Sequence, residues 1–380
     1  MKSMYKKLGD YIEPCDLLND KEEITLLQGI SNEKYFQACK SNTNDIDLSR
    51  YRICRKGWFA YNRATTRNGD KISIAYRDGE DCLVSPSYKC FRIKDENELN
   101  PYYLMLWFKR PQFDRYARFR SHGSAHEYFE YDEMCEVELP IPSIEEQLKI
   151  VEEYQTLEHR IELKRQINDN LEAQANTVFM DKLITYLAYE EDALPDGYIK
   201  TSLTDAASYL NGLAMQNFPP LGNDDILPVL KIRELRQGCV DAKSDKCSNT
   251  IKQEYIIHNG DVIFSWSGTL YVDLWCGGKV GLNQHLFKVS SKIYPKWFYY
   301  FWTKYHLGEF IKIADGKKTS MGHIKREDLE AARIIIPSID DLKYIDSLIS
   351  PLLEAIIRNK QEIGALSNTQ EILLSTLSSR

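Results

Sequence analysis

No stretch of this 380-residue chain approaches the roughly 20 consecutive apolar residues that a membrane helix needs. The basic start, MKSMYKKLGD, is not followed by the apolar run of a secretory leader, so a cytoplasmic protein is expected. The nine cysteines never form a Cys-x-x-Cys pair, and their odd number argues against a closed disulfide framework; buried free thiols are expected instead. His122 and His126 stand four residues apart, but nothing supplies the other ligands, so no metal is expected. Three catalytic signatures are also missing. There is no Gly-x-x-x-x-Gly-Lys-Ser/Thr loop to cradle a nucleotide. The Asn/Asp-Pro-Pro-aromatic motif of adenine methyltransferases is absent, and NFPP (217–220) has its letters in an unusable order. Glu162-Leu163-Lys164 matches the end of a nuclease pattern but falls in a helical stretch, where a strand would be needed. No cofactor and no catalytic residue are expected, and any chemistry belongs to a partner.

What the chain does have is asymmetry and repetition. Its formal net charge of −7 argues against a uniformly basic surface. Yet residues 50–71 carry Arg50, Arg52, Arg55, Lys56, Arg63, Arg67 and Lys71 against Asp70 alone, while 145–153 is rich in glutamate. Different segments are expected to face different partners. The length suggests two or three domains.

LPIPSIEEQLKIVEEYQ (139–155) is nearly rewritten as IIPSIDDLKYIDSLIS (335–350). At a constant offset of 195, Ile141-Pro142-Ser143-Ile144 falls on Ile336-Pro337-Ser338-Ile339, Gln166 on Gln361 and Leu171 on Leu366; Leu8 and Asp10 fall on Leu203 and Asp205. The duplication therefore spans each half of the chain. In both copies an apolar strand ends at proline and a serine is placed to cap a helix. Ser143-x-x-Glu146 has capping-box spacing, with Ser338-x-x-Asp341 a weaker version. Behind the second cap, Ile349, Leu352, Ile356, Asn359, Ile363, Leu366, Gln370, Leu373 and Leu377 step by threes and fours. The first copy has Tyr154, Leu157, Ile161, Lys164, Asn168, Leu171, Ala175 and Val178, with polar interruptions at mid-helix. Such stripes predict two long helices buried against each other. Pro351 is expected to kink or restart the second helix, and 188–198 to form a polar link between the halves. The aromatic block 295–310 reads as a core helix, matched by 101–108 in the first half.

Each half also holds a Gly-turn-strand element followed by a short polar motif. These are YRICRKGWFAYNRATTRNGDKISIA then LVSPSYKCFRI, and YIIHNGDVIFSWSGTLYVD then GLNQHLFKV. With IPSIEEQ and GKKTSMGHIKREDL in the same order, the chain resembles the specificity subunits of type I restriction-modification systems over essentially its whole length. That resemblance implies an α+β fold of two α/β target-recognition domains joined by two long antiparallel coiled-coil helices, with an internal pseudo-twofold repeat. The corresponding boundaries are 1–140 for the first recognition domain, 141–190 for the first helix and linker, 191–335 for the second domain and 336–380 for the second helix. It also implies double-stranded DNA as a partner and two DNA methyltransferase subunits, with or without motor-nuclease subunits. The second helix entry departs from the first, reading Asp340-Asp341-Leu342 in place of Glu145-Glu146-Gln147. SHGSAHEYFEYDEM also matches the pre-junction pattern less well than its counterpart in the second half.

Candidate DNA contacts follow from donor chemistry. Arg55, Tyr61, Asn62, Arg63, Thr66 and Arg67 lie in or beside a strand end, and arginine and asparagine are the side chains that read guanine and adenine edges. Their counterparts in the second half are Ser265, Trp266 and Ser267. Ser85, Ser87 and Tyr88, and Asn283, Gln284 and His285, are polar clusters within apolar surroundings; each is either a DNA contact or a turn bonded to its own backbone. Arg118, with its neighbours Arg115 and Arg120, and the pair Lys317 and Lys318 suit phosphate contacts, which position a protein without specifying sequence. Helices of roughly 40 residues at 1.5 Å per residue extend about 60 Å, enough to serve major grooves about 34 Å apart. The alternatives are a specificity subunit of a related methyltransferase-nuclease or phage-defence system, and a coiled-coil scaffold without DNA contact. The scaffold explains the helices but not two elaborate modules. The purified chain by itself is expected neither to transfer a methyl group from S-adenosylmethionine nor to cleave DNA. An assay with radiolabelled cofactor and plasmid DNA checks this, and methyl transfer by the chain alone would overturn the reading.

Overall fold

In the computed structural model the described residues are 5–39, 47–65, 71–123, 127–222, 225–316 and 322–378. They form two compact units, residues 1–159 with 368–380, and residues 160–367.

Each unit is closed by its own first and last strands. In the first, Tyr5–Lys7 runs antiparallel to Glu138–Pro140; in the second, Ile199–Ser202 runs antiparallel to Arg333–Ile336. The repeated leucine then turns inward in both: Leu8 and Leu203 are fully buried. Their N–H groups donate to the Val137 carbonyl (2.8 Å) and the Ala332 carbonyl (3.0 Å). The chain next enters a four-stranded antiparallel sheet of the same order in both units. In the first this is Ile12–Cys15, Tyr88–Ile93, Trp58–Asn62, Ile74–Tyr76. In the second it is Ser208–Asn211, Leu286–Ser290, Val262–Ser265, Tyr271–Leu274. The turn into the third-placed strand carries a glycine at positive φ in each, Gly57 at 88° and Gly260 at 86°, which an L side chain would resist.

The units differ in what is added to this sheet. The second carries another four-stranded sheet, Lys246–Ser248, Ile226–Leu230, Val280–Leu282, Ile256–Ile257. The first has two strand pairs instead, Gln28–Ile30 with Phe36–Ala38 and Arg52–Cys54 with Cys82–Val84. The aromatic blocks are core helices in both. Lys296–Gly316 is one helix, with Trp297, Phe298, Phe301 and Trp302 all but inaccessible. Its counterpart is split into Pro101–Lys109 and Pro111–Phe119, because Arg110, ahead of Pro111, is held extended at ψ 135°. Phe59 and Phe91 stack beneath them with ring centroids 4.9 Å apart.

The two long helices are Ile144–Lys182 and Ile339–Thr376. Ser143 Oγ accepts from the Glu146 N–H at 3.4 Å. The second cap is the fuller one, contrary to its weaker spacing: Ser338 Oγ accepts from the Asp341 N–H (3.2 Å) and donates to the Asp341 carboxylate (2.7 Å). The second helix runs on through Pro351 and does not restart there. Within the second unit the helices run antiparallel. Leu171, Ala175, Val178 and Phe179 share a core with Ile345, Ile349, Leu353 and Ile356. The polar interruptions meet one another: Lys164 Nζ donates to Asn359 Oδ1 (3.0 Å) and pairs with Glu362 (2.7 Å), Asn359 Nδ2 donates to Asn168 Oδ1 (2.9 Å), and Arg160 also pairs with Glu362. Within the first unit, Ile150, Val151 and Tyr154 share a core with Leu373, Leu374 and Leu377. Both cores also contain module residues, so each helix segment packs on its own module as well as on the other helix. The 188–198 link is exposed over most of its length, with Leu194 and Tyr198 half-buried. Tyr186 packs edge-on against Tyr189 and Tyr198 at 5.4 and 5.0 Å, and Leu187 and Leu194 lie against the core.

The departure at the second helix entry has a physical reason. Gln147 is fully buried. Its Oε1 accepts from the Asn100 N–H, while Nε2 donates to the Glu98 and Pro142 carbonyls, each at 2.9 Å. Leu342, at the repeated position, is half-buried and packs against the apolar core of its unit. Gln147→Ala strips three backbone groups of their partner, and each buried unsatisfied group costs about 1–3 kcal/mol. Urea unfolding of the variant is therefore expected to show a clearly lower midpoint, whereas Leu342→Ala, at a half-buried position, should cost less than the about 2–5 kcal/mol of a fully buried leucine.

Candidate nucleic-acid interface

In both sheets the strand before the candidate residues is buried, and the first side chain beyond its end emerges. Trp58–Asn62 is followed by Arg63, whose side chain is 33% exposed. Val262–Ser265, buried throughout, is followed by half-buried Trp266. A later segment holds each strand end by the same two backbone bonds. In the first unit the Phe129 N–H donates to the Arg63 carbonyl (2.8 Å) and the Thr65 N–H to the Glu127 carbonyl (3.1 Å). In the second the Ile324 N–H donates to the Trp266 carbonyl (3.1 Å) and the Gly268 N–H to the Gly322 carbonyl (3.0 Å).

The clamp brings to the site two residues that were not among the candidates, Tyr128 and His323. Glu127, Tyr128 and Phe129 fall on Gly322, His323 and Ile324 at the offset of 195. The helices that follow, Tyr131–Cys135 and Arg326–Ala331, are likewise counterparts. These lie in SHGSAHEYFEYDEM and GKKTSMGHIKREDL, the segments already matched ahead of each junction; that they hold the strand ends is not written in either.

In the first unit Arg63 Nη1 pairs with Glu130 Oε1 at 2.9 Å, and its guanidinium sits over the Tyr128 ring at 4.7 Å. Asn62 Oδ1 accepts from the Ala64 N–H (3.1 Å). Arg118 reaches the same place, pairing with Glu127 (2.6 Å) and lying 3.5 Å from Thr65 Oγ1. Arg120 pairs with Glu133 at 2.5 Å, and Arg115 is exposed. Tyr61 is a correction: it is fully buried in the core against Phe91 and Phe129. Burial, reinforced by the Glu130 charge, holds its phenol far above the usual tyrosine range. Arg55 is exposed and lies 3.7 Å from Asp81. Ser85 and Ser87 form a turn bonded to itself, their hydroxyls 2.9 Å apart and the Tyr88 N–H donating to the Ser85 carbonyl (2.9 Å). Tyr88 is in the sheet, opposite Asn62. Thr66 and Arg67 lie outside the described residues, as do His126, Lys317 and Lys318.

The second unit gathers its candidates more tightly. Ser267 Oγ and His285 Nδ1 are 3.0 Å apart, and the Trp266 N–H points to the His285 carbonyl at 3.4 Å. Trp266 stacks on Phe287 at 5.5 Å, has its Nε1 donating to Asn211 Oδ1 (3.0 Å), and meets His323 edge-on at 6.2 Å. Asn283 Oδ1 is 3.3 Å from the His285 N–H, and Gln284 Nε2 is 3.4 Å from His285 Nε2. Three of these candidates need correction: Ser265 is fully buried and donates to the Thr269 carbonyl (2.8 Å), a structural role, and Ser267 and Asn283 are buried as well, each 5% exposed, so their polar groups are spent on His285.

The basic run of 50–71 does not stand alone in space. Arg50 pairs with Asp47 (3.1 Å), Arg52 with Asp16, Arg63 with Glu130 and Lys71 with Glu33 (2.7 Å). All nine cysteines are free thiols, but only Cys54, Cys82, Cys90 and Cys247 are buried, and Cys239 is exposed. Among the described residues no group of three or more His, Cys, Asp or Glu side chains is placed to hold a metal ion, and no helix is long and apolar enough to cross a membrane. Glu162-Leu163-Lys164 lies within the first long helix.

Two closed modules, each presenting a polar and aromatic cluster at a strand end and each tied to paired long helices, define a duplicated recognition protein. The type I restriction modification DNA specificity domain matches residues 23–173 and again 197–367. The chain belongs to that family, and it is a DNA-recognition subunit of a type I restriction-modification system, not a catalytic one. It is 25% identical to the type I restriction enzyme MjaIX specificity subunit of Methanocaldococcus jannaschii over 293 residues, 72% of this chain and 67% of that one. It is 22% identical to the EcoBI specificity subunit of Escherichia coli over 173 residues, 45% of this chain and 35% of that one. The fold is similar to the crystal structure of a type I restriction-modification system S subunit from M. genitalium, with a TM-score of 0.54, 13% identity, and coverage of 98% of this chain and 95% of that one.

Proposed function

We propose that the chain reads a bipartite double-stranded DNA site in the cytoplasm, one half per module, with 1–140 and 191–335 as the recognition domains. The observation that carries this is that each module has its own closing strand pair and its own aromatic core. Side chains can then diverge in one module without unfolding the other. The partly exposed strand ends, with Asn62, Arg63 and Arg118 in one module and Trp266, Gln284 and His285 in the other, meet the DNA. Lys317 and Lys318 contact phosphate. The long helices, 141–190 and 336–380 with their linker, dock two DNA methyltransferase subunits, and motor-nuclease subunits join the complex where they are present. Docking is supported by apolar side chains that the helices leave in solvent, among them Leu163, Ile167, Ile339 and Tyr344 at 43, 48, 73 and 56% exposure.

The test is to replace residues 200–330 with the equivalent segment of a relative and to sequence the methylated sites. One half-site is expected to change while the other keeps its sequence; alteration of both would overturn the modular reading. On a finer scale, Arg63→Ala is expected to change base preference within a single half-site. Lys317→Ala is expected to weaken binding to every sequence and to lower the salt slope by roughly one, as loss of one phosphate contact does.

A further inference from the structure

The two strand-end clamps have the same backbone bonds and different side chains. Elsewhere the duplication keeps its chemistry where both copies do the same work: serine caps both long helices, and a buried leucine turns both chains inward. At the clamp the skeleton recurs bond for bond, but Arg63 is replaced by Trp266, Ala64 by Ser267, Thr65 by Gly268 and Tyr128 by His323. A constant frame with exchanged side chains is what two readers of different base sequences require.

Within each clamp the outward side chain leans on a ring from the later segment. The Arg63 guanidinium lies over Tyr128 at 4.7 Å, and Trp266 meets His323 at 6.2 Å with an interplanar angle of 78°. Each ring is fixed by its own backbone, because Tyr128 bridges Ala64 and His323 bridges Ser267. Both rings are half-buried, so they border solvent at the place where the strand-end side chain emerges. A guanidinium held over a ring has lost rotamer freedom before it meets a base, which sharpens selection among base edges.

We propose that Tyr128 and His323 are specificity-determining positioning residues: each supplies the ring against which the base-reading side chain of its module, Arg63 or Trp266, is held. This rests on the reading of one half-site per module.

The experiment uses the full chain in complex with its methyltransferase, with methylated sites determined by sequencing for the wild type and for Tyr128→Ala, His323→Ala, Tyr128→Phe and His323→Phe. Tyr128→Ala is expected to relax preference at one or two positions of one half-site, on the order of ten-fold. His323→Ala should do the same in the other half-site, with salt dependence unchanged in both. The phenylalanine variants keep a ring and are expected to retain the wild-type preference. They also decide the matter if an alanine variant fails to fold, since a folded Phe variant with altered preference overturns the proposal. Alanine variants that methylate the wild-type sites with unchanged preference, or that change both half-sites at once, overturn it as well. A wild-type complex whose methylated sites show no two-part consensus would overturn the underlying reading and the proposal with it. A two-part consensus indifferent to all four substitutions would sink the proposal alone.

Discussion

Everything else in this chain depends on each module closing upon itself before its long helix begins. The pairing of Tyr5–Lys7 with Glu138–Pro140, and of Ile199–Ser202 with Arg333–Ile336, brings residues more than 130 positions apart into register. Such long-range contacts carry the loop-closure cost of the whole module. Once made, they set the start of each helix: proline ends the closing strand and serine caps the helix immediately beyond. A closing strand that did not pair would leave the helix entry unanchored, and the recognition strand at the other side of the same core would lose its reference. Gln147 strengthens the first entry with three bonds to backbone groups from two segments; the second entry relies on Leu342 in an apolar core and on a fuller serine cap.

The helix seam joins the two kinds of constraint. Apolar side chains drive its burial, but the polar layer of Lys164, Asn168, Asn359 and Glu362 gives the antiparallel register its particular alignment. A one-turn slip in the seam would keep much of the apolar stripe buried and still separate these partners, leaving amides and charges with nothing to bond. Polar seam residues are best attested in this role of fixing register. The buried faces of both helices also take part in module cores, and Tyr300 and Lys304 of the core helix hold Glu172. Burial pushes the pKa of this partly buried carboxylate up, but the Lys304 charge and hydrogen bond, with the Tyr300 hydroxyl and the Lys360 charge, bring it below the usual range.

Charge behaves differently in sequence and in space. The basic run of 50–71 invites a picture of a positive surface stripe, but several of its cations end beside carboxylates drawn from Asp16, Glu33, Asp47 and Glu130. Exposed pairs of this sort contribute little to stability. Their effect is on orientation, since an arginine shared between a carboxylate and an aromatic face has few directions left in which to point. The site is therefore better described by which side chains are held and aimed than by net charge.

The duplication, the strand-proline-serine-helix junctions, the two long helices and the core character of both aromatic blocks were legible in the residues, because each rests on local periodicity or on a pattern written twice. The polar mid-helix positions were visible too, as interruptions, though not as partners. The spatial gathering of the site was not legible. Tyr61 and Ser265 stand at or next to the strand ends yet are fully buried, because these strands are covered on both faces: Phe59, Ala60 and Tyr61 are inaccessible together, as are Val262 through Ser265. Tyr128 and His323 reach Arg63 and Trp266 only through the clamp bonds, and of the carboxylates that answer the basic run Asp47 is a near neighbour in sequence while Asp16, Glu33 and Glu130 come from distant segments. Repetition and periodicity, which are properties of order along the chain, determined the architecture; burial, ion pairing and the choice of neighbours at the strand ends were decided by tertiary packing, since these depend on distances that order along the chain does not specify.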